Sequence, residues 1–141
     1  MNLYADSSAV LAWLFGEREG ETIRAILAEA ELVLASDLTI VECDRTIFRA
    51  QATGRVTEAQ AADRRNQLMA AAAHWGLLRL DGEVLDRARR PFPTEPVRTL
   101  DALHLASALV ARAAVPGLHL LSLDERMRAA GRGLGLTVSP T

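Results

Sequence analysis

The sequence predicts an α/β domain built on a mainly parallel sheet. Short apolar runs that look like buried strands alternate along the chain with longer stretches of helical periodicity, which is the pattern of strand–helix–strand units. The chain has 141 residues, of which 50% are hydrophobic, so it can bury one core but is too short for two ordinary domains. We therefore expect residues 1–141 to form one domain.

The strands and helices can be assigned in order. Ile23, Ile26 and Leu27 recur at helical spacing and predict a helix with one apolar face. Thr57 and Gln60 have the spacing of a capping box at the start of a later helix. The candidate strands are residues 3–5, 32–35, 77–80, 118–121 and 136–138.

Three further helix starts can be predicted from local signals. Ser36 and Asp37 are expected to open the helix that carries Glu42, and Asp81 can cap another helix. Three prolines within residues 91–96 prevent a regular helix there and predict an extended connection. That connection leads to Thr99, which is expected to cap the next helix.

The charged residues exclude several classes of protein. All 16 basic residues are arginine, and the absence of lysine excludes Schiff-base enzymes, P-loop nucleotide-binding proteins and receiver domains. The net charge of −2 excludes a broad basic surface. Residues 45–98 nevertheless carry a balance of +4, against −6 in the remainder. These arginines are either solvated helix faces or a surface that contacts phosphate, and the sequence leaves both open.

Membrane insertion and secretion are not expected. A single cysteine, Cys43, cannot form an internal disulfide, and the residues before Asp6 lack the basic region of a signal peptide. The apolar stretch 100–115 is interrupted by Asp101 and Arg112, which argues against a transmembrane helix. We expect a cytoplasmic protein with no membrane partner.

Four carboxylates occupy positions that the predicted fold brings together. Asp6 directly follows the first strand and Asp124 closely follows the fourth, so both lie at the carboxyl edge of the sheet, where ligands bind in such folds. Asp101 lies in the first turn of one helix, and Glu42 lies about a turn and a half into another.

Clustered carboxylates repel one another unless a cation neutralises them. An all-oxygen ligand set favours Mg²⁺ or Mn²⁺ over zinc. Taken singly, each acid has a simpler explanation as a helix cap, a complement to a helix dipole or a surface residue.

Four segments together resemble the motifs of PIN-domain ribonucleases and, more narrowly, of VapC-type toxins of bacterial toxin–antitoxin pairs. The resemblance extends over nearly the whole chain in order and spacing, and its most specific part is the Leu-Asp-Ala-Leu-His-Leu-Ala segment. The segments are Asp6-Ser7-Ser8, Leu38-Thr39-x-x-Glu42, residues 100–106 and Ser122-Leu123-Asp124-Glu125-Arg126.

The resemblance implies a PIN-like three-layer fold, with a central, mainly parallel sheet of about five strands flanked by helices. It also implies a Mg²⁺ or Mn²⁺ site and endonucleolytic cleavage of RNA, with tRNA or rRNA as the target. By position, the family's metal-site acids correspond to Asp6, Asp101 and Asp124. Glu42 corresponds to the acid that orients or deprotonates the attacking water. Ser7, Ser8 and Ser122 fall where the family places hydroxyls that support the acids or contact phosphate.

One position departs from the family pattern. Some members have an additional acid or Asn two residues after Asp124, where this chain has Arg126. A complete second metal site is therefore in doubt, and Arg126 either contacts phosphate or pairs with Asp124. The resemblance further implies a cognate antitoxin partner, in a homodimer or a toxin–antitoxin hetero-oligomer.

Other residues and functions were weighed against this interpretation. His104 shares a helix face with Asp101, but its apolar neighbours favour a structural role, as we also expect for His74 and His119. Trp13 on the first helix is expected in the core rather than at a docking surface. A noncatalytic PIN-fold module that binds RNA or protein is the alternative function. A DNA nuclease or a phosphatase is less favoured, the latter because Asp-x-Asp is missing after the first strand.

Overall fold

The computed structural model describes all residues 1–141 and contains five strands and seven helices. None of these helices has the length and apolar content needed to cross a membrane. The strands are β1 (Asn2–Ala5), β2 (Leu32–Ser36), β3 (Gly76–Leu78), β4 (His119–Leu121) and β5 (Thr137–Ser139). The helices are α1 (Ser7–Leu14), α2 (Gly20–Glu29), α3 (Asp37–Ala52), α4 (Glu58–Ala72), α5 (Gly82–Ala88), α6 (Thr99–Ala114) and α7 (Glu125–Gly133).

The five strands form one sheet in the order β3-β2-β1-β4-β5, and every neighbouring pair is parallel. This confirms the predicted parallel sheet, with strand ends shifted by one or two residues. The chain adds β2 and β3 on one side of β1 and then β4 and β5 on the other side. β1 is therefore the point where the strand order reverses, which is where open α/β sheets place their ligands.

The central strand β1 separates two hydrophobic clusters because successive side chains point to opposite faces of a sheet. Leu3 and Ala5 belong to the cluster that includes residues of α1, α2, α3 and α4. Tyr4 belongs to the other cluster, which includes Leu105 of α6 and Met127 of α7. All three β1 side chains are fully buried, so helices cover both faces of the sheet and the fold has the expected three layers.

Most predicted helix starts are confirmed by their capping bonds. The Ser36 hydroxyl caps α3, and the side chains of Thr57 and Gln60 form the predicted capping box of α4. Asp81 caps α5. The prediction for Thr99 was wrong. The preceding residue, Arg98, is in the extended conformation at the cap position, so Thr99 is already helical and cannot act as the cap.

The proline-rich connection between α5 and α6 is braced from within. The Glu95 carboxylate accepts hydrogen bonds from the backbone N–H groups of Phe92 and Val97, each at 2.8 Å. The Phe92 ring is buried, and the Arg87 guanidinium lies over it at 4.4 Å from the ring centroid. The connection therefore presents a defined wall to the carboxyl edge of the sheet.

Candidate active site

Asp6 lies at the end of β1 and caps α1. Its Oδ1 accepts hydrogen bonds from the Ala9 backbone N–H at 3.1 Å and from the Ser8 hydroxyl at 2.7 Å. Its Oδ2 accepts a hydrogen bond from the Ser122 hydroxyl at 2.5 Å. Burial raises the pKa of the Asp6 carboxyl above its ordinary value, although these hydrogen bonds and the nearby His104 act in the opposite direction. The ionised form of Asp6 is therefore poorly solvated, and a nearby cation would stabilise it.

Ser8 and Ser122 join the ends of two adjacent strands. The Leu123 N–H donates to the Ser8 hydroxyl at 3.0 Å, and the Asp124 N–H donates to the Ser122 hydroxyl at 3.1 Å. The buried guanidinium of Arg128 donates to the Ser122 carbonyl at 2.8 Å. These bonds fix the β4–α7 junction against Asp6 and so set the position of Asp124.

Asp101 and Asp124 share one guanidinium. The Arg98 Nε donates to Asp101 Oδ2 at 3.2 Å, and Arg98 Nη2 lies 3.9 Å from Asp124 Oδ2. The other Asp124 oxygen caps α7, accepting from the backbone N–H groups of Arg126 and Met127. The Arg126 side chain makes no ion pair with Asp124, so the positive charge that we considered for position 126 comes instead from Arg98.

Glu42 is held by a buried histidine. His104 Nε2 makes a very short hydrogen bond to Glu42 Oε1, and His104 Nδ1 lies 2.8 Å from the Tyr4 hydroxyl. Burial raises the pKa of the Tyr4 phenol above its ordinary value, so the phenol is neutral. Each ring nitrogen of His104 therefore has a polar partner, Glu42 on one side and Tyr4 on the other.

All four predicted acids line one cavity of about 400 Å³ at the carboxyl edge of the sheet. Ser7, Ser8, Arg98 and His104 line it as well, although the Ser7 hydroxyl makes no hydrogen bond in the protein. Ser122 lies behind Asp6, and Arg126 lies in a neighbouring cavity. The tertiary structure therefore brings the acids to a common space.

The acids do not, however, converge on a single point. No three Asp, Glu, His or Cys side chains are arranged so that they could hold one metal ion together. The donor set is nevertheless the oxygen-rich set that Mg²⁺ and Mn²⁺ take. Arg98 supplies positive charge to Asp101 and Asp124, whereas no arginine pairs with the buried Asp6. The chemistry of these residues fits a hard divalent cation.

Sequence analysis underestimated two residues of the cavity. Arg98 precedes Asp101 by three residues, at the cap of the same helix, a spacing at which opposite charges pair, so its contact was open to prediction. His104 was expected to be structural; it is buried as expected, but it also contacts Glu42. Only its spacing of three from Asp101 pointed to the site, and nothing local to the sequence linked Tyr4 to it.

Comparison with known proteins identifies the family. The PIN domain profile matches residues 3–133. This chain belongs to the PIN domain family. Over 136 residues, this PIN domain is 37% identical to Ribonuclease VapC46 of Mycobacterium tuberculosis, and the match covers 96% of this chain and 95% of that protein. The expected resemblance to PIN-domain VapC proteins is confirmed.

Solved structures share the fold of this PIN domain. The VapC20 toxin of Mycobacterium tuberculosis aligns with a TM-score of 0.65 at 14% identity, covering 92% of this chain and 95% of that one. A toxin–antitoxin complex from Klebsiella pneumoniae aligns with a TM-score of 0.64 at 17% identity, covering 99% and 97%. A chain of the FitAB complex bound to a DNA fragment aligns with a TM-score of 0.69 at 16% identity, covering 96% and 92%. The expected PIN-like fold is thereby confirmed.

Proposed function

We propose that this PIN domain is a metal-dependent endoribonuclease that hydrolyses phosphodiester bonds in RNA. The observation that carries the proposal is that four carboxylates from four separate segments line one cavity at the carboxyl edge of the sheet. The relative with 37% identity is named a ribonuclease, which supports RNA as the substrate. Clustered carboxylates that line a cavity repel a phosphate group unless cations neutralise them.

Asp6, Asp101 and Asp124 are the residues that would hold Mg²⁺ or Mn²⁺. Because no three acids of the cavity meet at one point, ion binding would have to draw these carboxylates together. When bound, the ion lowers the pKa of a coordinated water and polarises the phosphodiester. The hydroxyls of Ser8 and Ser122 hold Asp6 in place. Asp124 is held by the backbone hydrogen bonds that it accepts as the cap of α7. Ser7 lines the same cavity with a free hydroxyl that is available to a phosphate oxygen.

Glu42 is the residue we assign to the attacking water. Its carboxylate is anchored through one oxygen by His104, which leaves the other oxygen free to accept a proton from water. His104 is in turn held by the hydroxyl of Tyr4 in β1. Glu42 therefore acts as the general base, and His104 acts by positioning it.

The biological role we propose is that of a toxin in a toxin–antitoxin pair. The structural relatives include toxin–antitoxin complexes, and VapC20 is described as a toxin that cleaves the sarcin–ricin loop. By extension, the partners of this chain are a cognate antitoxin and an RNA, with tRNA or rRNA as the target. A homodimer or a hetero-oligomer with the antitoxin is the expected assembly.

Cleavage of a mixed RNA pool tests the proposed activity. The wild-type chain with Mg²⁺ should degrade RNA, and excess EDTA should stop it. Asp6→Asn should lower the rate by at least about a hundredfold, because it removes a charge that stabilises the transition state through the metal. Asp86→Asn, at an exposed position on α5, is the matched control and should cleave like wild type.

A folded Asp6→Asn variant with full activity would remove Asp6 from the mechanism. RNA binding by the wild type without cleavage when Mg²⁺ is present would contradict the nuclease proposal and favour the noncatalytic binding module. Mapping the ends of RNA fragments from cells that express wild type or Asp6→Asn would then identify the target.

A further inference from the structure

Two more cavities continue from the acidic cavity along the proline-rich connection. A cavity of about 510 Å³ shares Arg98 and Asp101 with the acidic cavity. A third, of about 390 Å³, shares Glu95 and Val97 with the second. Each is within the size range of ligand pockets, and the shared residues make the three cavities neighbours in a row, which we call a path.

The path is lined by arginines that are free to bind an anion. Arg126 lines the second cavity, and Arg89 and Arg90 line the third. All three side chains are exposed, and none lies within ion-pair distance of a carboxylate. The path is therefore positive beyond the point where Arg98 meets the acidic cavity.

The arginines outnumber the acids on the path. Arg89, Arg90, Arg98 and Arg126 line the second and third cavities, against Glu95 and Asp101. Both oxygens of Glu95 are engaged by backbone N–H groups of its own loop, and Asp101 is paired with Arg98. The Arg87 guanidinium, stacked on the buried Phe92 ring, donates to the carbonyl of Pro91 at 3.3 Å. The wall is thus braced before any ligand arrives, which lowers the entropic cost of binding.

We propose that this path, the arginine path, binds the RNA strand that extends from the cleaved phosphodiester, with Arg126, Arg89 and Arg90 contacting successive phosphates. The planar guanidinium donates two parallel hydrogen bonds to a phosphate, and the path offers no exposed aromatic ring on which a base could stack. The arginine path therefore reads the backbone and tolerates different bases. This inference rests on the proposed ribonuclease function for the identity of the strand.

The arginine-rich region of residues 45–98 contains arginines of two kinds. Arg65 pairs with Asp44 and lies over the Phe48 ring, and Arg64 lies over the Phe15 ring, so these side chains have partners within the protein. Arg89 and Arg90, at the end of α5, have no such partners and line the third cavity of the path. The region thus contains both a structural set and a set available to phosphate.

Binding of a labelled oligouridylate of about twelve nucleotides tests the path. Fluorescence anisotropy in EDTA, which prevents cleavage, would give the dissociation constant at several salt concentrations. Each lost phosphate contact lowers the slope of log K against log salt by about 0.7, so R90A/R126A should lower it by roughly 1.4 and weaken binding about 25-fold at 0.1 M salt. Thermal unfolding would confirm that the variant is folded.

The matched control is R18A/R132A. It removes the same charge at two exposed arginines that line none of the three cavities of the path and pair with no carboxylate, so its slope should stay close to that of wild type. Equal slopes for the two double variants would overturn the arginine path, even if wild type cleaves RNA. Arginine-dependent RNA binding, with no cleavage once Mg²⁺ is supplied, would uphold the path while contradicting the ribonuclease proposal.

Discussion

Asp6 combines a structural role with the role proposed for it in catalysis. Its carboxylate caps α1 and is 2% exposed, so it is both well hydrogen-bonded and poorly solvated. A buried carboxylate that lacks a cation destabilises the folded state when it is ionised. The cost is consistent with a site arranged for an ion that binds after folding, since functional sites commonly reduce stability.

Asp6→Asn should raise stability at neutral pH. The pKa of Asp6 is higher in the folded state than in the unfolded chain, so the free energy of unfolding falls as pH rises above the unfolded-state pKa. The neutral amide of Asn does not ionise, so the variant should be more stable than wild type by on the order of 1 kcal/mol at pH 7. Urea unfolding at pH 7 and below pH 4 would measure this. The difference should shrink at the lower pH, where both states bind the proton. A variant less stable than wild type at pH 7 would contradict this account of Asp6.

Substitution of Tyr4 would test whether His104 positions Glu42. Tyr4→Phe keeps the buried ring and removes the hydroxyl that contacts His104 Nδ1, so kcat should fall about tenfold while KM stays constant. In a Glu42→Gln background the same substitution should have no further effect, because it acts only through that carboxylate. An equal fall in both backgrounds would show that Tyr4 supports the fold rather than Glu42.

At the level of elements, the start of α6 carries much of the site. Arg98, Asp101 and His104 are spaced by three residues, which places them along one side of the helix, and all three line the acidic cavity. In the preceding loop, the Glu95 carboxylate accepts hydrogen bonds from the backbone N–H groups of Phe92 and Val97, which brace the segment that leads into α6. One helix therefore supplies a cation, a carboxylate and the residue that anchors Glu42.

Arg98→Ala should strengthen Mg²⁺ binding. Arg98 neutralises Asp101 and Asp124, so its removal leaves two carboxylates that need another cation. The rise in melting temperature with Mg²⁺ concentration would measure the affinity without RNA, and we expect the apparent affinity to increase several-fold. Arg98→Lys keeps the charge and is the matched control. Unchanged or weaker Mg²⁺ binding in Arg98→Ala would contradict the competition between Arg98 and the ion.

On the scale of the whole molecule, strand order determines where the charges meet. Placing β1 between β2 and β4 brings Asp6 and Asp124 to adjacent strand ends, and α3 and α6 bring Glu42 and Asp101 to the same cavity. The exposed arginines of the path lie beside this cavity rather than around it. A chain with net charge −2 can therefore present a local positive surface next to an acidic site.

Patterns within a few residues were enough to predict the strands, most of the caps and the acids that follow strand ends. Apolar periodicity, capping and turn preferences act over short separations, so a single sequence contains them in full. Thr99 shows that such predictions can be wrong by one residue, because α6 begins one residue earlier than predicted and its cap is Arg98. The motif resemblance extended the prediction from elements to the fold.

Contacts between distant parts of the chain were decided only by the tertiary structure. His104 meets Tyr4 across 100 residues and Glu42 across 62, and Ser122 meets Asp6 across 116. Such contacts depend on the order of the strands and on how each helix sits against the sheet, which no short pattern specifies. For the same reason the sequence predicted four acids and a set of arginines, but only the packing of the helices determined that Arg98 lies between Asp101 and Asp124.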